Sequence, residues 1–168
     1  VHLLDLRNHG RSFWDDDFDF DSMAEDIKDY VKSKNISKAD FIGHSMGGNL
    51  AFYISNKVPD IINKIVIVDI APKKYKNVHE DILLGLKSID FNLIRSRKEV
   101  DEKLSLYISD ERVRQFLLKS VYWESESKLG FRFNLHILYE FSKNVILNEF
   151  KSSIGFNGPS LFLHGELS

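Results

Sequence analysis

Residues 64–70 read Lys-Ile-Val-Ile-Val-Asp-Ile, apolar at four successive positions before an aspartate. A strand with one face in water alternates apolar and polar residues, whereas one covered on both faces does not. Three other runs share that character: Val-His-Leu-Leu-Asp-Leu at 1–6, Ala-Asp-Phe-Ile-Gly at 39–43 and Ser-Leu-Phe-Leu-His-Gly at 160–165. Such runs belong in a parallel sheet covered on both faces by helices, and parallel neighbours need crossover connections. The intervening residues supply them. Between the first two runs, Ser22 and Glu25 read as a capping box, with Met23, Ile27, Tyr30 and Val31 forming one apolar stripe. Between the second and third, Leu50, Ala51, Ile54 and Val58 share a face and Pro59 ends the helix. The order β-α-β-α-β predicts an α/β fold with a parallel sheet and right-handed crossovers.

From Pro72 to about Phe156 the pattern turns helical. Val78, Ile82, Leu83, Leu86 and Ile89 form one stripe, and Ser96 with Glu99 caps a second helix carrying Val100, Leu104 and Ile108. Val113, Phe116, Leu117 and Val121 make a third stripe, and Leu135, Leu138, Phe141 and Val145 a fourth. An insertion of this length between two sheet strands reads as a lid over a site. The expected division is a sheet core at 1–71 and 157–168 and a helical lid at 72–156.

Composition narrows the partners. The 168 residues carry a net charge of -2, with Lys and Arg dispersed, so no surface concentrates positive charge against nucleic-acid phosphates. The chain has no cysteine, which excludes disulfides and thiolate metal sites and fits a cytoplasmic protein. No apolar run reaches the roughly 20 residues of a membrane helix. No cluster has metal-ligand spacing, and neither a metal nor an organic cofactor is expected. Both ends of the sequence read as interrupted, so a fragment of a longer chain is expected.

The sharpest chemical signal is Gly43-His44-Ser45-Met46-Gly47, after one strand and before a helix. This is G-x-S-x-G in the context of a nucleophile elbow, where a strained turn projects the serine Oγ from the sheet edge. Strand and helix then approach closely, and glycine at 43 and 47 avoids a clash, with Gly48 adding close packing. The Met46 N–H lies at the helix start, free to bind an oxyanion. The bland alternative is a tight turn with Ser45 as an ordinary N-cap.

An activated serine needs a base and an acid that orients it. Asp69 ends a strand expected to neighbour the serine strand, roughly 4.8 Å away. Glu166, in the turn after the last strand, is the second candidate acid. None of the six histidines (2, 9, 44, 79, 136 and 164) follows the final strand, where the base of this order belongs. The base is therefore expected beyond Ser168. In Asp-Leu-Arg-Asn-His-Gly-Arg-Ser, residues 5–12, a turn that ties down neighbouring loops is favoured over a role for Arg7 or His9 at a pocket wall. Trp123, Phe131 and Phe133 can line an acyl pocket or fill the lid core.

Residues 5–12, 41–48 (Phe-Ile-Gly-His-Ser-Met-Gly-Gly), 68–72 (Val-Asp-Ile-Ala-Pro) and 161–168, together with the lid stretches Phe-Leu-Leu-Lys-Ser and Phe-Arg-Phe-Asn, carry a resemblance. The chain resembles the α/β-hydrolases and, within them, the YbfF-type esterases. The resemblance implies Ser45 as nucleophile, Asp69 as acid and hydrolysis of small-molecule carboxylic esters, thioesters such as acyl-CoA included. It also implies that the loop giving the second oxyanion donor lies before Val1, and that the 168 residues alone are close to inactive. Three readings stay open beside it: a C–C bond hydrolase, a cofactor-free haloperoxidase, and a non-catalytic ligand-binding member.

Overall fold

The computed structural model describes residues 1–70, 80–144 and 156–166. The chain forms two compact units, one of Asp19–Lys74 with Val145–Ser168 and one of Val1–Phe18 with Tyr75–Asn144.

The first unit is a helix-covered parallel sheet. Its strands are β1 (Ala39–His44), β2 (Ile62–Val68) and β5 (Ser160–Leu163), with β2 in the centre. The register runs Ile42 to Val66 to Leu161, and His44 to Val68 to Leu163. Helix α2 (Met46–Lys57) connects β1 to β2, followed by a short 3-10 turn, Pro59–Ile61. Ala51 on α2 is buried with Ile65 and Ile67 on β2, and Phe41, Phe52, Ile70 and Phe156 close around them. Ile65 and Ile67 each contribute about 1.5–3 kcal/mol by leaving water. The opposite row is more open than the apolar run suggests: Ile42 is 76% exposed and Leu161 50%.

Helix α1 (Phe20–Ser33) buries Met23, Ala24, Ile27 and Val31, with Tyr30 only half-buried. Its cap differs from the expected Ser22–Glu25 box. Asp19 is extended (φ -143°) and its Oδ1 accepts from the Ser22 N–H at 2.7 Å, leaving Ser22 inside the first turn. Aspartate wins because its charge also suits the positive end of the helix. The Phe20 ring stacks on Tyr53 of α2 with centroids 5.6 Å apart, and Lys57 Nζ meets Asp21 Oδ1 at 2.7 Å. The Lys57 ammonium, then the Tyr53 hydroxyl, hold the Asp21 carboxyl below its ordinary range.

The expected strand at 1–6 is not one. Those residues are without regular structure, and Val1, Leu3 and Leu4 are exposed. A strand exists only when a neighbour completes its ladder, and β1 pairs with β2 alone among the described residues. Residues 1–18, expected with the sheet, cluster instead with the helical segment.

That second unit holds α3 (Glu80–Lys87), α4 (Arg97–Ser105), α5 (Glu111–Leu118) and α6 (Leu135–Asn144). Ser96 caps α4 as expected, its Oγ accepting from the Glu99 N–H at 3.2 Å while donating to Glu99 Oε1 at 2.8 Å. Val78 and Val145 of the expected stripes lie outside the described residues. The third stripe is corrected. Helix α5 stops at Leu118, and Val121 opens an antiparallel hairpin of β3 (Val121–Ser125) and β4 (Lys128–Phe131). Val-Tyr-Trp before Glu-Ser-Glu-Ser and the Leu-Gly-Phe after it are β-formers around a polar turn, a signal that helical spacing obscured. Leu86, Val100, Leu104, Ile108, Leu118, Val121 and Leu129 form the core of this unit. Phe131 and Phe133 stack on one another at 4.8 Å and pack against that core. Trp123 on β3 is exposed.

Candidate active site at the strand ends

Ser45 sits between the last residue of β1 and the first of α2, with φ 52° and ψ -120°. A side-chain-bearing residue reaches this region only at a cost of about 1–3 kcal/mol. Its side chain makes no capping hydrogen bond to the helix, which removes the ordinary N-cap reading. The backbone is fully engaged instead. The Ser45 N–H donates to the Val68 carbonyl at 3.1 Å, and the Ser45 carbonyl accepts from Gly48 and Asn49 N–H at 2.9 and 3.0 Å. Met46 is the first residue of α2, so its N–H belongs to the helix turn that lacks intrahelical partners. The positive end of the α2 dipole coincides with the serine.

The glycines divide. A Cβ on Gly43 would overlap the Gly47 carbonyl oxygen and its carbon, both backbone atoms. Gly48 is nearly as tight, with Ile70 Cγ2 at 2.6 Å and the Gly43 oxygen at 3.0 Å from a built Cβ. At Gly47 a Cβ would meet nothing within 4 Å. The expected clash at 47 is therefore corrected: the Gly47 backbone, not its missing side chain, is what Gly43 accommodates. The close approach of strand and helix rests on Gly43 and Gly48.

Asp69 follows the last residue of β2, the strand next to β1. It too has a left-handed backbone, φ 57°. Its N–H donates to the Leu163 carbonyl at 2.7 Å, and Gly165 N–H lies 3.4 Å from its Oδ1. Two adjacent parallel strands thus end in Ser45 and Asp69, at the carboxyl edge where open α/β sheets place their ligands. Neither left-handed backbone nor the Gly165 contact has a local sequence signal beyond the elbow motif itself. Glu166 is exposed in the turn after β5; Ala71 and Pro72 of the Asp-Ile-Ala-Pro stretch lie outside the described residues.

Four of the histidines occupy other settings. His9 Nδ1 is 3.0 Å from the Arg7 carbonyl, and His164 Nδ1 is 2.9 Å from that of Gly165. His44 is exposed at the end of β1 and His136 is exposed on α6. His2 lies in the irregular first residues rather than in a strand, and His79 is outside the described residues. The turn at 5–12 does what was expected of it: Arg7 Nη1 donates to the Asp17 carbonyl at 2.7 Å, and the Asn8 side chain bonds both backbone groups of Asp15. Among the described residues no group of three or more His, Cys, Asp or Glu is placed to hold a metal ion. No described helix is long and apolar enough to cross a membrane.

The chain shares its fold with known proteins. The chain is 35% identical over 163 residues to a candidate esterase/lipase of Haemophilus influenzae and 31% identical over 163 residues to esterase YbfF of Escherichia coli. Each alignment covers 96% of this chain, which spans 55% and 61% of those proteins. Among solved structures, a marine microorganism esterase superposes with a TM-score of 0.90 at 37% identity, over 96% of this chain and 64% of that one. The model of the α/β hydrolase fold matches residues 1–166. With a parallel sheet, a strained serine between strand and helix, and an aspartate ending the next strand, the chain belongs to the α/β hydrolase fold family.

Proposed function

We propose that this chain carries the nucleophile and the acid of a serine hydrolase that cleaves carboxylic esters, thioesters included, through an acyl-enzyme. The observation that carries the reading is the state of Ser45: a left-handed backbone, and a side chain not used to cap the helix it precedes. A serine held this way for structure alone would gain nothing from the strain. The names of the Haemophilus, E. coli and marine relatives support an ester substrate.

In the proposed cycle Ser45 Oγ attacks the substrate carbonyl and its proton passes to a histidine base. The tetrahedral oxyanion accepts a hydrogen bond from the Met46 N–H, with the α2 dipole favouring the same charge. Collapse expels the alcohol or thiol, which takes the proton from the histidine, and the acyl group stays on Ser45. Water, deprotonated by the same histidine, then attacks the acyl carbonyl, and the histidine returns that proton to Ser45 Oγ as the acid leaves. Asp69 accepts a hydrogen bond from the imidazole and holds its tautomer, stabilising the imidazolium as it forms. We propose that the histidine and the second oxyanion donor come from outside residues 1–168.

The test uses the gene product containing this chain beside the 168-residue chain alone, each treated with a fluorophosphonate probe. Labelling of the longer protein at Ser45, lost in Ser45→Ala and weak or absent in the 168-residue chain, is the expected result. A folded longer protein that refuses the label would overturn the reading and favour the ligand-binding one. A panel of p-nitrophenyl esters and acyl thioesters then separates the two substrate classes.

A further inference from the structure

We propose that Asn8 is a latch: its side chain locks the strap of residues 5–18 onto the start of α6, and releasing it frees the strap without unfolding the core of the helical unit. Asn8 is fully buried, with a left-handed backbone at φ 63°. Every polar group it has is engaged. Its N–H donates to the Phe13 carbonyl at 2.9 Å. Its Nδ2 donates to the Asp15 carbonyl at 2.8 Å, and its Oδ1 accepts from the Asp15 N–H at 3.1 Å. On the other side, Oδ1 accepts from Asn134 Nδ2 at 3.2 Å, and the Asn8 carbonyl accepts from the Asn134 N–H at 2.9 Å.

Asn134 is in turn the residue on which α6 begins. Its carbonyl accepts from Leu138 N–H at 3.0 Å and its Oδ1 from Ile137 N–H at 3.4 Å. One buried amide therefore joins two segments separated by more than a hundred residues. His9 and Phe133 form an isolated antiparallel bridge, and Gly10 N–H donates to the Arg132 carbonyl at 2.6 Å, so the turn is bonded to the chain just after β4. Within the strap the buried apolar side chain is Phe18, whose ring meets that of Phe141 on α6 with centroids 4.8 Å apart. Apart from Phe18 the strap is held by polar bonds centred on Asn8, and the buried cluster around Val100 and Leu104 contains none of its residues. Local opening of such a segment lies below global unfolding in free energy.

The inference does not depend on the proposed ester chemistry, and its test reads no activity. Native-state amide exchange is measured on the unmodified chain and on Asn8→Gly, which suits the left-handed backbone and removes only the side-chain bonds. In the unmodified chain, the amides of Asp15 and Asn134 should open together, before those of Val100 and Ile108 in the core. In Asn8→Gly, Asp15 should exchange at least tenfold faster, with Val100 and Ile108 unchanged. Unchanged Asp15 protection would show that the strap is held elsewhere and overturn the latch. Loss of all four protections together, or failure of Asn8→Gly to fold, would make Asn8 part of the global core and overturn it equally. If the unmodified chain opens all four amides in one step, the latch fails without reference to any variant.

Discussion

Asn8 in the helical unit and Ser45 in the sheet unit share a backbone that L-residues rarely adopt, yet they use it in opposite ways. Asn8 is buried, and its side chain turns the unusual conformation into bonds with Asp15 of its own strap and Asn134 at the start of α6. Ser45 is half-buried and its side chain gives no cap bond to the helix beside it. Asparagine tolerates the left-handed region through its own local hydrogen bonding, whereas serine there is held by its surroundings. Strain offset by local bonds marks structure. Strain without such an offset, at the edge of a parallel sheet, marks a site.

Several substitutions can break or sharpen that contrast. The largest effect is expected in the gene product containing this chain, where Ser45→Ala should reduce kcat on the order of 10⁶-fold with the fold retained. Ester turnover near wild type would remove Ser45 from the chemistry. Asp69→Asn should lower kcat on the order of 10⁴-fold by leaving the histidine in the wrong tautomer. Near-normal rates there would move the acid to Glu166.

The elbow glycines give the next largest difference. Gly43→Ala drives a Cβ into backbone and should destabilise by roughly 3 kcal/mol or more. Gly47→Ala enters open space and should be neutral, or stabilising by up to about 1 kcal/mol through helix propensity. Equal losses in chemical denaturation would refute the distinction drawn between the two. A smaller pair reads the strain itself. Ser45→Gly should raise stability by about 1 kcal/mol, whereas Asn8→Gly should lower the free energy of local opening of the strap by about 1–3 kcal/mol, because buried partners lose their hydrogen bonds. Matching signs would erase the contrast between the two residues.

The smallest effect concerns the exposed Asp21–Lys57 pair. The Asp21 pKa is lowered by the Lys57 and Tyr53 bonds, so its contribution is present above the ordinary aspartate pKa, about 4, and disappears as pH falls through the lower folded value. Asp21→Asn should therefore lower the melting temperature slightly at pH 7, and the difference should shrink as the pH drops below about 4. A difference that grows on acidification would have the wrong sign for this pairing.

Much of this was legible in the sequence because it depends on neighbours a few residues apart. The runs that became β1, β2 and β5, the helix after the elbow and the Ser96–Glu99 cap all follow from apolar spacing and short-range hydrogen bonding. So does the elbow, since a glycine two residues before the serine is a local steric demand. Where two local signals competed, the reading slipped: Asp19 outbid Ser22 as the cap of α1, and helical spacing hid the hairpin at 121–131.

Matters that pair distant residues were settled by long-range folding. An apolar hexapeptide such as residues 1–6 is a strand only if another strand completes its ladder, and propensity cannot supply that partner. Placing β2 between β1 and β5, and so Asp69 beside Ser45, is a choice among strand orders that local pattern leaves open. The joining of Asn8 to Asn134 across more than a hundred residues is of the same kind. Local sequence specifies the elbow and the elements around it, because sterics and hydrogen bonds act over a few residues. The neighbourhood that makes those elements a candidate site was set by long-range pairing, whose free energy appears only once the chain has folded.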